Sequence, residues 1–91
     1  AGMNDWMRAA LYKAFHPMVA VSKLKSHAPT RYEIVGPVCE SADTFGEMEL
    51  SVDPHDLLAI LGTGAYGSVM ASHYNSRLQA ASAWIEGDKI L

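Results

Sequence analysis

The stretch Tyr-Glu-Ile-Val-Gly-Pro-Val-Cys-Glu-Ser at residues 32–41 carries the features from which both the fold and the function of this sequence are inferred. Residues 32–38 are mainly apolar or β-branched and predict a strand. The turn at Gly36-Pro37 and the pair Cys39 and Glu40 lie at its end, where functional side chains are often found. If this pair stood alone, the simpler interpretation would be that Cys39 is a small buried hydrophobic residue and Glu40 a solvated loop acid. A functional interpretation therefore needs support from other residues.

The hydrophobic pattern on both sides of this stretch predicts a mainly β (α+β) domain with two short helices over residues 1–91. The predicted strands lie at residues 18–24, 32–38, 57–61 and 80–85. The predicted helices run from about residue 6 to residue 12, capped by Asn4 or Asp5, and through Met70, Tyr74 and Leu78 at helical spacing. Because the chain has no repeat and no linker, we expect one structural unit.

Size and composition restrict the function. A chain of 91 residues forms one domain at most, and such a domain buries only about two thirds of the surface that its unfolded chain exposes. With 49% hydrophobic and 19% charged residues, the chain is unusually apolar, which predicts that part of its surface meets a partner. The net charge of −3 and the scattered basic residues argue against binding to nucleic acid or to an anionic membrane.

The cysteine and histidine content bears on compartment and metal binding. The single cysteine, Cys39, excludes an intramolecular disulfide and a cysteine-based zinc site, and a cytoplasmic setting is expected. The histidines show no pair at metal-ligand spacing, so no metal site is predicted. Neither a signal peptide nor a membrane span is predicted. Because the sequence lacks an initial methionine and stops within an apolar run, we expect both ends to be cuts in a longer protein.

Arg8 and Tyr12 form a candidate anion-binding pair. They stand four residues apart, so on a helix their side chains project from one face and can grip a carboxylate together. An exposed arginine beside a half-buried tyrosine is the simpler alternative.

The stretch Gly62-Thr63-Gly64-Ala65-Tyr66-Gly67 matches the dinucleotide-binding fingerprint G-x-G-x-x-G and follows an apolar strand. Glu86 lies at about the distance where such folds place an acid against a ribose hydroxyl. Against this hypothesis, the motif normally follows the first strand of its domain, whereas most of this chain precedes it. The few residues that follow cannot complete a doubly wound sheet. Dinucleotide binding therefore stays an alternative.

Three blocks of the sequence are distinctive in order and spacing. They are residues 1–12 (AGMNDWMRAALY) with Ala14 and His16, residues 35–41 (VGPVCES) with Asp43, and residues 64–67 (GAYG) followed by 70–72 (MAS) and 74–77 (YNSR). Together they resemble the C-terminal part of the diaminopimelate decarboxylase family of pyridoxal-phosphate enzymes. Gly-Pro-x-Cys is shared with ornithine and arginine decarboxylases, whereas Cys-Glu-Ser and Asn-Asp-x-x-Arg favour the diaminopimelate branch.

The resemblance implies a fold and a reaction. The family combines an N-terminal eight-stranded α/β barrel, which binds pyridoxal 5'-phosphate through a lysine, with a C-terminal β-sandwich or Greek-key barrel, and this chain is similar only to the second. None of its lysines (Lys13, Lys23, Lys25 and Lys89) resembles the cofactor lysine, so the barrel is expected outside this chain. The implied reaction converts meso-2,6-diaminopimelate to L-lysine and carbon dioxide in lysine biosynthesis.

The resemblance also implies a role for each candidate residue. Arg8 and Tyr12 would bind the substrate carboxylate remote from the cofactor, and Glu40 would hold the ammonium at the same end. Tyr66 would lie beside the cofactor and substrate, near the phosphate. Cys39 would protonate the substrate carbon after carbon dioxide leaves, as a thiol can near neutral pH. Cys39 and Glu40 would reach into the partner's active site in a homodimer, so this chain alone would be inactive.

Three other functions stay open at this point. The first is a related decarboxylase of ornithine or arginine. The second is a fragment of a dinucleotide-binding domain, which requires a β-α-β unit around residues 57–86. The third is a non-catalytic interaction domain, which requires intact chain ends.

Overall fold

Short apolar runs separated by glycine and proline turns give this chain small sheets. The computed structural model describes residues 1–21 and 27–91, and within them the strands form three two-stranded antiparallel sheets. In chain order the elements are α1 Arg8–Tyr12, β1 Met18–Ala20, β2 Thr30–Val35, β3 Thr44–Leu50, β4 Leu58–Ile60, α2 Gly67–Met70, a 3-10 helix Tyr74–Ser76, β5 Ile85–Glu86 and β6 Lys89–Ile90. The predicted fold class, mainly β with two short helices, is confirmed.

The β2–β3 hairpin is the longest paired region and supplies part of the core. Its register runs from Thr30 opposite Leu50 to Ile34 opposite Gly46, and then shifts so that Val35 lies opposite Thr44. The shift inserts an extra residue, which is a β-bulge. Strand β3 was not predicted from the sequence, because the bulge breaks the alternation of apolar and polar residues by which a strand is recognised.

The predicted strands at residues 18–24 and 57–61 pair with each other as β1 and β4. Met18 lies opposite Ile60, and Ala20 lies opposite Leu58. The first prediction extends beyond β1 into residues 22–26, which lie outside the described residues. The predicted strand at residues 32–38 is β2, which begins earlier and ends at Val35.

A small hydrophobic core lies between the hairpin and the N-terminal segment. Trp6, Met18 and Phe45 form its buried centre, and partly buried apolar side chains pack around them: Ala9, Ile34, Met48 and Ile60. Large apolar side chains near the C-terminus are instead exposed: Leu78, Trp84, Ile85, Ile90 and Leu91. This distribution agrees with the predicted excess of apolar surface, while the partner that covers it stays a prediction.

The predicted cap of the first helix is wrong. Helix α1 begins at Arg8, with Met7 in the N-cap position and no side-chain cap. Asn4 is fully buried, and the Asp5 carboxylate accepts a hydrogen bond from the Gly2 N–H at 3.0 Å. The Asp5 side chain therefore stabilises the turn that precedes the helix, and it also accepts a hydrogen bond from the Asn4 side-chain amide at 3.4 Å.

Two predictions for the C-terminal third are also wrong. Met70, Tyr74 and Leu78 do not share a helix, because the chain is extended at Ala71 and left-handed at Asn75. Residues 80–84 form no paired strand, and the last strands are the short hairpin β5–β6.

The dinucleotide-binding hypothesis fails on topology. Strand β4, which precedes the glycine-rich stretch, pairs antiparallel with β1, and α2 is only four residues long. Glu86 lies in the antiparallel hairpin β5–β6. A dinucleotide-binding unit requires parallel strands joined by a crossover helix. Among the described residues, no helix is long and apolar enough to cross a membrane.

Candidate active site

The N-terminal turn joins the three blocks that are far apart in the sequence. The Met3 N–H donates a hydrogen bond to Oδ1 of Asp43 at 2.7 Å, and the carbonyl of Asn4 accepts one from the Ser72 N–H at 2.8 Å. The Trp6 ring lies against the start of α2, where a Cβ on the first helical residue would come within 3.3 Å of the indole. The distinctive blocks of the sequence therefore meet around residues 2–6.

Three side chains come together along one face of α1 and are here called the arginine cluster: Arg8, Tyr12 and Tyr66. The Arg8 Cζ lies 5.3 Å from the centroid of the Tyr12 ring and 5.5 Å from that of Tyr66. Both distances are within the range of cation–π attraction. The structure thus brings together three of the five residues to which the sequence assigned a role.

Local backbone geometry explains the cluster. The spacing of four places Arg8 and Tyr12 on one face of α1. Tyr66 precedes α2 in the left-handed region, with φ of 65°. Gly67 follows it, and the Trp6 indole leaves little room there for a side chain. The left-handed backbone at Tyr66 therefore directs its ring towards Arg8 in α1 and keeps Tyr66 out of the first turn of α2.

The arginine cluster offers an open site for an anion. Tyr12 and Tyr66 are each 60% exposed. In residues 1–21 and 27–91, no carboxylate forms an ion pair with Arg8 and no acceptor is bonded to its guanidinium. A guanidinium with free paired donors matches a carboxylate or a phosphate.

Cys39 and Glu40 lie on an exposed loop, residues 36–42, here called the cysteine loop. Its ends are joined because the Gly36 N–H donates to the Asp43 carbonyl at 2.9 Å, and the Asp43 N–H donates to the Glu40 carbonyl at 3.0 Å. Cys39 is exposed and has a φ of 56°, which is uncommon for a residue other than glycine. The simpler interpretation of Cys39 as a buried hydrophobic residue is therefore wrong. Val38, only 1% exposed, anchors the loop.

The Asp43 carboxylate braces the cysteine loop against the N-terminal turn. It is 3% exposed, and its two oxygens accept hydrogen bonds at 2.7 Å from the N–H groups of Met3 and Val38. A Cβ on Gly36 would lie 2.3 Å from the nearer oxygen, so this position requires glycine. No role was predicted for Asp43 from the sequence. The available signal was an aspartate that closes a Gly-Pro loop, since aspartate commonly binds nearby backbone N–H groups.

We expect Asp43→Ala to lower the unfolding free energy of the protein by about 3 kcal/mol, because two N–H groups lose charge-assisted hydrogen bonds. Asp43→Asn keeps one acceptor oxygen and should lose less. Thermal unfolding measures both, with the exposed Asp88→Ala as the matched control. Equal melting temperatures for Asp43→Ala and Asp88→Ala would contradict the brace.

The 3-10 helix, which lies far from the cysteine loop in the sequence, contacts that loop through two side-chain hydrogen bonds. The Tyr74 hydroxyl donates a hydrogen bond to Oε1 of Glu40 at 2.6 Å, and the Asn75 side-chain amide donates one to the Val38 carbonyl at 2.9 Å. The bond to the carboxylate, with its negative charge, raises the pKa of Tyr74 above its ordinary value. The phenol therefore remains a hydrogen-bond donor at neutral pH. This contact was not predicted from the sequence, because Tyr74 was interpreted only by its helical spacing.

The arginine cluster and the cysteine loop are separate groups. Across the described part of the chain, no hydrogen bond, ion pair or ring contact joins a member of one to a member of the other. The structure therefore places Arg8, Tyr12 and Tyr66 in one group, and Cys39 and Glu40 in another.

A cleft of about 600 Å³ opens beside α2 and belongs to neither group. Its walls include Trp6, Ile60, part of the glycine-rich stretch and residues 79–83. No residue with an assigned role lines it. The described residues also contain no group of histidine, cysteine and acidic side chains that could hold a metal ion.

Comparison with known proteins gives a consistent family match. Residues 1–64 match the family model described as pyridoxal-dependent decarboxylase, C-terminal sheet domain. A diaminopimelate decarboxylase from Haemophilus influenzae is 42% identical over 89 residues, which are 97% of this chain and 21% of that protein.

Solved structures agree with the sequence match. A crystal structure of an Aquifex aeolicus protein superposes with a TM-score of 0.93 at 39% identity, covering 100% of this chain and 23% of that one. A diaminopimelate decarboxylase from Helicobacter pylori, solved in complex with L-lysine, gives a TM-score of 0.86 at 45% identity, with the same coverage of 100% and 23%. The chain thus spans about a fifth of the length of the relatives that it matches.

Proposed function

The chain belongs to the pyridoxal-dependent decarboxylases, in which it matches the C-terminal sheet domain, and we propose that it is the C-terminal domain of a diaminopimelate decarboxylase. The full enzyme would convert meso-2,6-diaminopimelate to L-lysine and carbon dioxide. Its N-terminal α/β barrel, which binds the cofactor, lies outside this chain. The observation that carries the proposal is that the rings of Tyr12 and Tyr66 flank the Arg8 guanidinium, and that no described carboxylate forms an ion pair with it.

The arginine cluster binds the substrate carboxylate that is remote from the reacting carbon. The Arg8 guanidinium offers paired N–H donors to the two carboxylate oxygens, and the Tyr12 hydroxyl adds a third donor. The aromatic rings that flank the guanidinium restrict its motion, so less entropy is lost when the carboxylate binds.

Glu40 binds the ammonium group at the same end of the substrate. Its carboxylate lies on the exposed cysteine loop, and its position is fixed by the hydrogen bond from Tyr74. A site with one cationic and one anionic group matches the two charges of an amino-acid end. If the ligand lacks either charge, one charged group of the protein stays buried and unpaired.

The substrate class follows from this pair of charges. Diaminopimelate carries an amino-acid group at each end, whereas ornithine and arginine have no carboxylate at the remote end. With those substrates, Arg8 would face no counter-charge. The arginine cluster therefore favours diaminopimelate over the basic amino acids that related decarboxylases use.

The described residues fit the rim of a pyridoxal-phosphate site and not its centre. The exposed ring of Tyr66 can lie along the cofactor beside the substrate. Of the described lysines, Lys13 and Lys89 are exposed and neither lies over that ring, while Lys23 and Lys25 lie outside the described residues. The lysine that holds the cofactor is assigned to the barrel, as the family resemblance implies. The chemistry that the cofactor supplies when bound is an electron sink for the charge left by departing carbon dioxide.

Cys39 supplies the proton that completes the reaction. When carbon dioxide leaves, the substrate carbon retains an electron pair, and the Sγ proton of Cys39 moves to that carbon. The resulting thiolate regains its proton from water before the next turnover. The exposed position of Cys39 at the tip of a braced loop supports this role.

The two groups serve different active sites of a homodimer. Each chain uses its arginine cluster in its own site and extends its cysteine loop into the site of its partner. The absence of any described contact between the groups supports this arrangement, as does the exposed position of the loop. Oligomers of this kind are usually two-fold symmetric, so both sites would be completed in the same way.

The full-length protein with added pyridoxal phosphate tests the proposed function. We expect release of carbon dioxide and formation of L-lysine from meso-2,6-diaminopimelate, with far slower release from ornithine. Faster release from ornithine would overturn the substrate assignment, and no release from either substrate would overturn the reaction.

A further inference from the structure

We propose that Tyr74 is a positioning residue that sets the specificity of the site for the remote ammonium group, by holding the Glu40 carboxylate in the orientation that binds it. This inference rests on the proposed role of Glu40. The geometry that carries it is the hydrogen bond from the Tyr74 hydroxyl to Oε1 of Glu40, at 2.6 Å. The two residues are separated by 34 positions in the sequence, so neither sequence proximity nor secondary structure accounts for their contact.

Glu40 needs such support because no described residue other than Tyr74 forms a hydrogen bond with its carboxylate. It is an exposed residue within the cysteine loop, next to Cys39, and a glutamate there has several accessible rotamers. Ordering it at the moment of binding would cost affinity. A short O–H···O⁻ hydrogen bond is among the stronger neutral-to-ion contacts, and it fixes the carboxylate before the ligand arrives.

The bond leaves the carboxylate able to bind a cation. Tyrosine has a single hydroxyl proton to donate, and it occupies one of the two oxygens. Within the described residues, Oε2 of Glu40 accepts no hydrogen bond, and no basic side chain pairs with the carboxylate. The second oxygen therefore remains for an ammonium group.

The backbone around Tyr74 fixes the phenol in turn. Asn75 has a left-handed conformation with φ of 57°, and its side-chain amide donates to the Val38 carbonyl at 2.9 Å. This bond attaches the 3-10 helix to the backbone of the cysteine loop, one residue before Cys39. The phenol and the carboxylate that it holds are thus carried by segments tied to each other.

The test compares two ligands that differ only in the α-ammonium group. L-Lysine has a carboxylate, an α-ammonium and a terminal amine, whereas 6-aminohexanoate lacks the α-ammonium. Calorimetric titration of the full-length protein, loaded with pyridoxal phosphate, measures both dissociation constants without relying on turnover. The variants are Tyr74→Phe, Glu40→Gln and the double variant, with Tyr32→Phe as the control. Tyr32 is a half-buried tyrosine of β2 whose hydroxyl makes no hydrogen bond in the described part of the chain.

We expect Tyr74→Phe to weaken L-lysine binding about tenfold and to leave 6-aminohexanoate binding unchanged, as is typical of losing a hydrogen bond to a charged group. In the Glu40→Gln background, Tyr74→Phe should have little further effect, because the charge that it positions is gone. Tyr32→Phe should change neither constant.

The possible failures are distinguishable. If Glu40→Gln leaves L-lysine binding unchanged, the proposed role of Glu40 fails, and this inference fails with it. If Glu40→Gln weakens L-lysine binding and Tyr74→Phe behaves like Tyr32→Phe, the role of Glu40 stands and the inference is overturned. Equal weakening of both ligands by Tyr74→Phe would show a general structural role, which also overturns it.

Discussion

Replacing Cys39 by alanine is expected to lower kcat about 10²–10⁴-fold, the range typical of removing a general acid, with little change in KM. Alanine has no proton to give to the substrate carbon. The arginine cluster and Glu40, which we propose bind the remote end of the substrate, stay intact. Because the proton is needed only after carbon dioxide has left, the first turnover should still release carbon dioxide while the formation of L-lysine slows. Rapid-quench measurement of both products checks this order.

Two further variants separate acid chemistry from backbone strain at Cys39. Its φ of 56° is a conformation that glycine adopts without penalty. Cys39→Gly should therefore be at least as stable as Cys39→Ala, and equally slow. Cys39→Ser retains a weakly acidic hydroxyl and should be slow as well. A kcat for Cys39→Ala within about twofold of the unmodified enzyme would exclude the thiol as the proton donor, because that residual effect is far below the range of general acid catalysis.

Arg8→Ala is expected to lower kcat/KM for meso-2,6-diaminopimelate about 10²–10³-fold, because removing one partner of a hydrogen-bonded charge pair typically costs 2–5 kcal/mol. The substrate carboxylate would then lie against two tyrosine rings with no cation. Arg8→Lys should recover only a small part of the loss, since an ammonium cannot reproduce the paired donors of a guanidinium. Steady-state kinetics on the full-length enzyme measures these changes.

The matched control for this prediction is Arg31→Ala. Arg31 is an exposed arginine of β2 that pairs with Glu47 across the hairpin, remote in sequence from the arginine cluster. Exposed ion pairs of this kind contribute little to stability, so the variant should retain normal kinetics. Similar values of kcat/KM for Arg8→Ala and Arg31→Ala would contradict the carboxylate site.

Local patterns predicted much of the fold but not its irregular parts. The apolar runs that became β1, β2 and β4 are continuous enough to be recognised. Strand β3 was missed because its bulge interrupts the alternation of apolar and polar residues. Residues 80–84 were wrongly predicted to form a strand, because an apolar run does not by itself provide a second strand to pair with. Strand pairing depends on residues distant in sequence, which local patterns do not report.

The residues of the candidate site also differ in how well the sequence predicted them. Arg8 and Tyr12 were expected to act together because four residues of helix place them on one face, and the structure confirms that they meet. Tyr66 was assigned only through resemblance, since its approach to Arg8 depends on a left-handed turn. Asp43 and Tyr74 were missed, because each acts through a hydrogen bond to a distant segment.

Subunit complementation tests the central claim, that one chain provides residues for two active sites. Arg8→Ala and Cys39→Ala full-length enzymes, each nearly inactive alone, are mixed, unfolded and refolded with pyridoxal phosphate. In a mixed two-fold dimer, one site carries both substitutions and the other carries neither, so equal mixing should restore about a quarter of normal activity. If each chain instead completes its own site, every site carries one substitution, and the mixture stays as inactive as its components.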